Sequence, residues 1–523
     1  MKEFHDQALR DFKHTVHEFQ EALSLNFPNY ATEVGLEKQK KCLDGTRIEV
    51  LKEVVDWMDD TDAAAPRVFW LHGQAGKGKS AIAQTIARHA ENLGMLGSCF
   101  RFTRVGQHER LHTKLPQTIA RDLAKCDFRL RLLLAEVTIM LPDIGRQWKK
   151  LIFEPLSKLA NSSIGNILVI IDALDESGTK ETRSAILEVL AGHDATLPAN
   201  LRLLLTSRPL VDIQVALDAS QHIRAMSLDD IDPESTIADI RRYVTNRLKS
   251  LSDVVSDEHL QQLAVKSGGV FEWANLACDF ISRHPIKSIA KERLEKILSH
   301  DAWEGKTLLD EMYTTLLKQV TRGDADVLAL FRSVMRLVLW LKEPLPISAL
   351  DFLRDRFPQW KYGSRSVRGM LNLMAPLLSG TRDTSTPIRP LHASFYDFLM
   401  DQERSGEFFV DEGDVHRDLA LASISVMQAG LECDIWRPEM ADLEVVDLDQ
   451  RIEQSIPPHR LYACQLWVTH LRDAGLYTRA ETTRGLVAKD QLLFWLEVLG
   501  ACEVIKPAGP FPIPIEQRRV RAL

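Results

Sequence analysis

Residues 68–80 read VFWLHGQAGKGKS, and this stretch determines the fold of a large part of the chain. Residues 68–71 are an apolar run typical of a buried strand, and residues 81–88 are good helix formers with isoleucines four positions apart on one face. Between them, residues 73–80 match the pattern GxxxxGK[ST] of a phosphate-binding loop completely. Because a strand precedes the motif and a helix follows it, a Gly-rich turn that matches by chance is the weaker interpretation.

The residue types of this loop predict how it would hold a nucleotide. Its glycines let the backbone curl so that N–H groups point inward at phosphate oxygens, and the helix behind adds its positive dipole end. Lys79 can reach the β- and γ-phosphates, and the Ser80 hydroxyl can ligate Mg²⁺. The predicted ligands are therefore ATP or ADP with Mg²⁺. The predicted binding residues of the loop are Gly73, Gly76, Lys77, Gly78, Lys79, Ser80 and Ala81.

A second motif follows at residues 167–172, where an apolar strand ends in a carboxylate. This is the Walker B form, in which Asp172 would hold Mg²⁺ through water opposite Ser80. Many fast ATPases of this class place a glutamate directly after that aspartate, but here the position is Ala173. Asp175 and Glu176 follow, and either could act as the general base if the turn folds back. The alternative is that these acids only cap the next helix.

A third strand candidate, LLLTSRP at residues 203–209, ends in polar residues and an arginine. At the carboxyl edge of a parallel sheet, such a side chain points toward the ligand crevice. Arg208 is therefore predicted to sense the γ-phosphate, and a surface arginine without function is the alternative.

Composition narrows the class of protein. The chain has 523 residues, which predicts about three or four domains. A net charge of −8 argues against a general nucleic-acid binder. The seven cysteines are scattered without a CxxC pair, as in reduced cytosolic proteins. No signal peptide is recognisable, and the most apolar helix, at 327–341, contains two arginines, so we expect a cytoplasmic protein without a membrane span.

The order of elements predicts the architecture. Strands alternate with helices from about residue 66 to 230, which indicates an α/β P-loop NTPase fold, a parallel sheet with helices on both faces. The remainder is mostly helical, except for two short runs on either side of the turn SGTRDTST, which read as a small hairpin. Helices followed by such a hairpin suggest a winged-helix module. The predicted divisions are an N-terminal helix and linker (1–39), the NTPase domain (40–230), a helical lid (231–342), the winged-helix module (343–410), a C-terminal helical domain (411–503) and a Pro-rich tail (504–523).

In combination, these elements resemble the NACHT family of STAND ATPases, in the fungal form with nephrocystin-type N-terminal NTPase domains. The resemblance extends over about residues 40–500. The segments that carry it are CLDGTRIEVLKEVVDWM, VFWLHGQAGKGKSAIAQTIA, ILVIIDALDE, LLLTSRP, SGGVFEWANLACDFI and PLHASFYDFLMDQERSGEFFVDEGDVHRDLA.

The resemblance implies roles for further residues. Thr46 and Arg47 would contact the adenine or ribose side, and Arg208 would be the first sensor. The helical lid would begin at Pro233, which would also belong to the nucleotide-binding residues. His392 would touch the ADP β-phosphate in a closed state, whereas a lone histidine at a strand end is otherwise more often just bonded to a backbone carbonyl.

The resemblance also implies a function, that of a NOD-like receptor core. ADP would hold the modules closed, and exchange for ATP would open them for self-association, with slow Mg²⁺-dependent hydrolysis. The biological use would be fungal self/non-self recognition or programmed cell death, with a protein partner for the N-terminal helix. Such proteins usually carry C-terminal WD40, ankyrin or TPR arrays, and we find no internal repeat of that kind here.

Three other functions are open to the same motifs. One is a turnover enzyme, such as a mechanochemical ATPase or a small-molecule kinase. Another is a scaffold with permanently bound ADP. The third is DNA binding through the winged helix, which the acidic total charge disfavours.

Overall fold

The computed structural model describes residues 41–62, 65–103, 111–135, 143–159, 165–191, 197–218, 220, 222–283, 286–299, 307–357, 365–381, 383, 385–430, 456–476 and 495. The predicted N-terminal helix and the Pro-rich tail lie outside the described residues.

Five parallel strands form the central sheet, in the order β2-β3-β4-β1-β5. They are β1 (Val68–His72), β2 (Leu96–Arg101), β3 (Ile167–Asp172), β4 (Leu201–Ser207) and β5 (Ile223–Ser227). In the register of the sheet, His72 lies beside Ser207, and Arg101 lies beside Asp172. The ends of the two motif strands and of the arginine-bearing strand therefore meet at one edge, and the predicted fold class is confirmed.

Helices cover both faces of the sheet because successive strand side chains point to opposite sides. Phe69 and Leu71 pack with one helical layer, whereas Val68 and Trp70 pack with the other. The first layer is formed by α1 (Ile48–Asp59) and α2 (Lys79–Asn92). The second comprises α3 (Leu111–Cys126), α4 (Phe128–Ala135), α5 (Ile144–Trp148), a π-helical turn (Lys149–Phe153), α6 (Glu154–Leu159), α7 (Lys180–Ala191) and α8 (Val211–Leu217).

The chain after β5 is mostly helical, as predicted. Its elements are α9 (Pro233–Arg247), α10 (Asp257–Lys266), α11 (Phe271–Ser282), α12 (Lys287–Ser299), α13 (Leu308–Thr321), α14 (Ala325–Trp340), α15 (Ile347–Arg354), α16 (Arg365–Leu373), β6 (Leu378–Ser379), β7 (Arg389–Pro390), α17 (Ala393–Met400), α18 (Gln402–Ser405), α19 (Val415–Gly430) and α20 (Pro458–Asp473).

Local sequence explains where several of these helices begin. Asp232 caps α9 by accepting a hydrogen bond from the Ser235 N–H, and Pro233 occupies the first turn, where its missing N–H costs nothing. Thr307 and Asp310 form a reciprocal capping box at the start of α13.

The short ribbon β6–β7 is antiparallel, with Leu378 opposite Pro390. At Gly380, φ is 74° and a Cβ would lie 2.5 Å from the Pro387 carbonyl oxygen, so only glycine fits this turn. The helices and the ribbon predicted for this region are thus present.

One hydrophobic cluster runs through the helical half, from Ile240 to Leu471 and including Trp495. The predicted lid, ribbon-bearing and C-terminal segments therefore share a core in the described structure. No helix among the described residues is both long and apolar enough to cross a membrane.

Candidate functional site

The loop between β1 and α2 has the backbone conformation that its glycines permit. Gly73, Gly76 and Gly78 have φ values of 147°, 80° and 94°. A Cβ at Gly76 would lie 2.7 Å from a methyl carbon of Val270, so a larger residue would collide with the segment before α11. The Glu272 N–H donates to the Gly76 carbonyl oxygen at 3.1 Å, which ties the loop to α11. The helical half therefore helps to shape the loop.

Lys79 extends back along the loop. Its Nζ donates to the carbonyl oxygens of Gly73 (2.7 Å) and Gln74 (2.8 Å). Burial lowers the pKa of Lys79 to about 8, an effect that the Asp175 carboxylate opposes and the Arg208 guanidinium reinforces. An anion bound in the loop would favour the charged ammonium, so this position suits a phosphate.

Asp172 is fully buried at the end of β3, and its two oxygens have different surroundings. Oδ1 accepts hydrogen bonds from Ser80 Oγ (3.0 Å) and Thr206 Oγ1 (2.5 Å). Oδ2 accepts none within the described part of the chain, and Arg101 Nε lies 3.5 Å from it. A buried carboxylate oxygen that lacks a donor, with a serine hydroxyl beside it, fits Mg²⁺ or a metal-bound water.

The turn after β3 brings the two candidate acids back to the sheet edge. Ala173 adopts a left-handed conformation with φ 60°, and its N–H donates to Thr206 Oγ1 at 3.0 Å. A 3₁₀ turn, Leu174–Glu176, follows. Asp175 accepts a hydrogen bond from the Arg208 N–H at 3.1 Å, and Glu176 lines the cavity described below. The Asp175 side chain thus pairs with the residue that follows β4, whereas its carbonyl oxygen accepts a hydrogen bond from Arg183 of α7 at 3.2 Å.

Arg208 is placed between the two halves of the molecule. Its Nε lies 3.1 Å from Asp175 Oδ2, and its Nη1 lies 2.6 Å from Asp397 Oδ2 on α17. The side chains are 21%, 3% and 12% exposed, respectively. One guanidinium therefore joins the Walker B turn to the helix that follows the ribbon.

A cavity of about 320 Å³ opens beside this ion-pair cluster, within the size range of about 300–1,000 Å³ that is common for ligand sites. It is lined by most of the predicted site residues, namely Thr46, Arg47, Gly76, Gly78, Lys79, Ser80, Ala81, Asp175, Glu176, Arg208 and His392. The loop, the turn before α1 and the start of α17 therefore share one space.

His392 lines this cavity and also caps α17. Its Nδ1 accepts a hydrogen bond from the Ser394 N–H at 3.2 Å and lies 2.5 Å from Ser394 Oγ. Ser394 Oγ is in turn 2.7 Å from the Tyr313 hydroxyl. A capping bond of this kind holds the imidazole in the cavity wall.

Arg47 joins the loop to the helical half. Its N–H donates to Asp239 Oδ2 on α9 at 2.9 Å, and its Nη2 donates to the Lys77 carbonyl oxygen at 3.1 Å. The guanidinium also lies 4.9 Å from the centre of the Phe271 ring. Thr46 donates to the Leu43 carbonyl oxygen at 2.7 Å, within its own turn.

Four predicted residues do not belong to the lining that the structure describes. They include Gly73 and Asp172, and also Lys77, whose ammonium is 3.8 Å from Asp229. Pro233 stands at the first turn of α9. Their predicted roles remain predictions.

Several lining residues had no predicted role, among them Arg101, Tyr243, Arg247 and Asn275. The Tyr243 hydroxyl donates to Asn275 Oδ1 at 2.9 Å, and Arg247 Nη1 donates to that hydroxyl at 3.0 Å. The only sequence signal for this group was the matching segment that contains Asn275. Arg101 had none, because nothing in the sequence indicated that β2 pairs with β3.

Comparison with known proteins adds a family match for the first part of the chain. The family described as "Nephrocystin 3, N-terminal" matches residues 45–208, which span the loop, Asp172 and Arg208. No curated protein matches the chain.

Solved structures resemble the chain only distantly. A Walker-type ATPase of Pyrococcus abyssi is 14% identical with a TM-score of 0.35, over 68% of this chain and 97% of that one. The Aeropyrum pernix Orc1 protein, solved with DNA, is 12% identical with a TM-score of 0.33, over 74% and 94%. Drosophila ORC bound to DNA is 12% identical with a TM-score of 0.26, over 62% and 80%. Likeness at this level supports no conclusion about function or partners.

Proposed function

Since the chain contains a nucleotide-binding P-loop NTPase domain, we propose that it is an ATP/ADP-operated signalling switch of the NACHT type. In this proposal, bound ADP favours a closed arrangement of the NTPase and helical halves. ATP favours an open arrangement that self-associates. The switch needs ATP and ADP to differ in their affinity for the two arrangements, because a ligand with equal affinity shifts nothing.

The observation that carries the proposal is the double ion pair of Arg208. Its guanidinium contacts Asp175 on the NTPase side and Asp397 on α17. A γ-phosphate near Arg208 would compete with these carboxylates for the same donors. ATP would therefore weaken the bond to α17, whereas ADP, which lacks that phosphate, would leave it in place.

The position of His392 also supports the proposal. It belongs to the cap of α17 and lines the space that Lys79 and Ser80 also line. A phosphate held by the loop would thus be within the same cavity as the first residues of α17. The proposed contact with the ADP β-phosphate would add to the closed arrangement.

Slow hydrolysis is the expected chemistry. Mg²⁺ held by Ser80 and Asp172 would neutralise charge on the phosphates. The residue directly after Asp172 is Ala173, which has no base, and Asp175 is already paired with Arg208. Glu176 lines the cavity and is the other acid available to orient water.

A P-loop ATPase with true turnover is the second candidate, and the exposure of Glu176 to the cavity favours it. The two candidates differ in rate and in the nucleotide that the purified protein retains.

The test is the nucleotide content of purified protein, measured by denaturation and anion-exchange chromatography. We expect stoichiometric ADP in the wild type, loss of ADP in Lys79→Ala, and no change in Lys52→Ala. Lys52 is a fair control because it lies on the surface of α1, paired with Asp56. Wild-type protein that is empty and turns over ATP at about 1 s⁻¹ or faster would favour the turnover ATPase. Absence of nucleotide, with no binding on titration, would leave a scaffold.

The remaining predictions also belong to this proposal. They are the domain limits given above, a winged-helix identity for the ribbon region, a cytoplasmic location and a role in fungal self/non-self recognition. We also propose that the chain does not bind nucleic acid, which a titration with labelled duplex DNA would check.

A further inference from the structure

We propose that Arg101 is a built-in counter-ion of the Mg²⁺ position, which lets the site hold ADP without the metal and weakens the binding of Mg²⁺. This inference rests on the proposed nucleotide site and concerns its metal dependence. Arg101 is the last residue of β2 and lies beside Asp172 in the register of the sheet. It also lines the cavity together with Lys79 and Ser80.

The two oxygens of Asp172 carry the argument. Ser80 and Thr206 both bond to Oδ1, whereas Oδ2 accepts no hydrogen bond within the described residues. The group that faces Oδ2 is the Arg101 guanidinium, with its Nε at 3.5 Å. Asp172 Oδ2, the oxygen that suits a metal-bound water, is therefore the one that lies beside the positive charge of Arg101.

The guanidinium does not lose its proton at any ordinary pH, so this charge is permanent. Asp172 is fully buried and its carboxylate needs a partner of opposite sign. Arg101 provides it without a metal. A divalent cation that arrives next to Asp172 must then approach a like charge at short range, which raises the free energy of the metal-bound state.

The neighbouring lysine cannot take this role in the same way. Lys79 Nζ donates to the carbonyl oxygens of Gly73 and Gln74, so its charge lies in the phosphate loop. Loss of Arg101 would thus leave the Oδ2 side of Asp172 to Mg²⁺. The site should then become metal-dependent, as expected of a metal ligand without a competing cation.

The experiment compares wild type, Arg101→Gln and Arg101→Lys, with Arg129→Gln as the control. Arg129 is a partly exposed arginine that pairs with Asp127 away from the cavity. The first measurement is the ADP dissociation constant, by titration calorimetry, in Mg²⁺ and in EDTA. The second is Mn²⁺ binding to nucleotide-free protein, by electron paramagnetic resonance. Circular dichroism establishes that each variant is folded.

In the wild type and the control we expect the two ADP constants to agree within about threefold. In Arg101→Gln the ADP dissociation constant in EDTA should exceed that in Mg²⁺ by about tenfold or more. Mn²⁺ should bind to this variant about tenfold more tightly than to the wild type, because one unit charge a few ångströms from the metal is removed. Arg101→Lys should fall between, since it keeps the charge but not the planar donor group.

Two results would overturn the inference. One is an Arg101→Gln protein with the wild-type ratio and wild-type Mn²⁺ affinity. The other is loss of ADP binding in both buffers by that variant alone, which would make Arg101 a phosphate ligand. If the wild type itself binds no nucleotide, the proposed function fails, and the Mn²⁺ measurement still decides the role of Arg101.

Discussion

Replacing Asp397 by asparagine should loosen the contact between α17 and the NTPase half while leaving the nucleotide loop intact. The pair Arg208 Nη1–Asp397 Oδ2 is 2.6 Å long, and both side chains are largely buried. Two unit charges about 4 Å apart interact by about 4 kcal/mol at an effective dielectric constant of about 20. Arg208 keeps Asp175 as a partner, so we expect a smaller net loss, about 1–2 kcal/mol, which changes an equilibrium by a factor of about 5–30.

The assay is the rate at which a fluorescent ADP analogue leaves the protein when excess ADP is added. Because the closed arrangement retains ADP, release from Asp397→Asn should be faster than from the wild type by about that factor of 5–30. Light scattering with ATP should show assembly at lower protein concentration. Glu403→Gln is the matched control, since it removes one negative charge from the exposed face of the adjacent α18.

A double-mutant cycle separates the ion pair from other effects of the substitution. Arg208→Gln combined with Asp397→Asn should cost less than the sum of the single changes. If ADP release is unchanged in Asp397→Asn but altered in Arg208→Gln, Arg208 acts on nucleotide alone. That result would show that the pair Arg208–Asp397 does not couple the two halves.

Three further changes have expected outcomes. Ala173→Gly should raise the free energy of unfolding by about 0.5–1 kcal/mol in urea titrations, because Ala173 has φ 60°, a left-handed conformation that glycine adopts more readily than alanine. Ala238→Gly, inside α9, is the control and should lower the free energy of unfolding by a similar amount. Burial lowers the pKa of Lys79 to about 8, and loss of its proton would remove a positive charge from the phosphate loop. The affinity for ADP, measured by calorimetry, should therefore be independent of pH below pH 8 and fall by up to about tenfold per pH unit above it. An affinity that stays constant up to about pH 9.5 would contradict this prediction. His416 Nδ1 lies 2.8 Å from His470 Nδ1, and burial lowers the pKa of His416, aided by Lys342. Below pH 6.5 the unfolded chain therefore binds more protons than the folded protein. Thermal stability should be lost as the pH falls from 6.5 through the pKa of His416 in the folded protein. His416→Gln should reduce that loss.

Much of the NTPase half could be predicted from the sequence because its signals are local. The run before the loop is apolar and short, the loop itself needs glycines, and the helix behind it has an apolar stripe, so β1, the loop and α2 follow from neighbouring residues. The same holds for β3, whose terminal Asp172 was expected beside Ser80 and lies within hydrogen-bond distance of it. The two helices and the ribbon after residue 343 also follow from local periodicity and from the turn between them.

Residue pairs that are distant in sequence depend on tertiary structure. The pairing of β2 with β3, which sets Arg101 against Asp172, is a choice among parallel neighbours that have similar apolar patterns. The docking of α17 on the NTPase half, which brings Asp397 to Arg208, depends on how the whole helical core packs. Hydrophobic periodicity predicts which face of a helix or strand is buried, but it does not predict which other element that face packs against. The sequence by itself therefore determined the elements and the phosphate loop, and the long-range packing alone decided which charges meet around it.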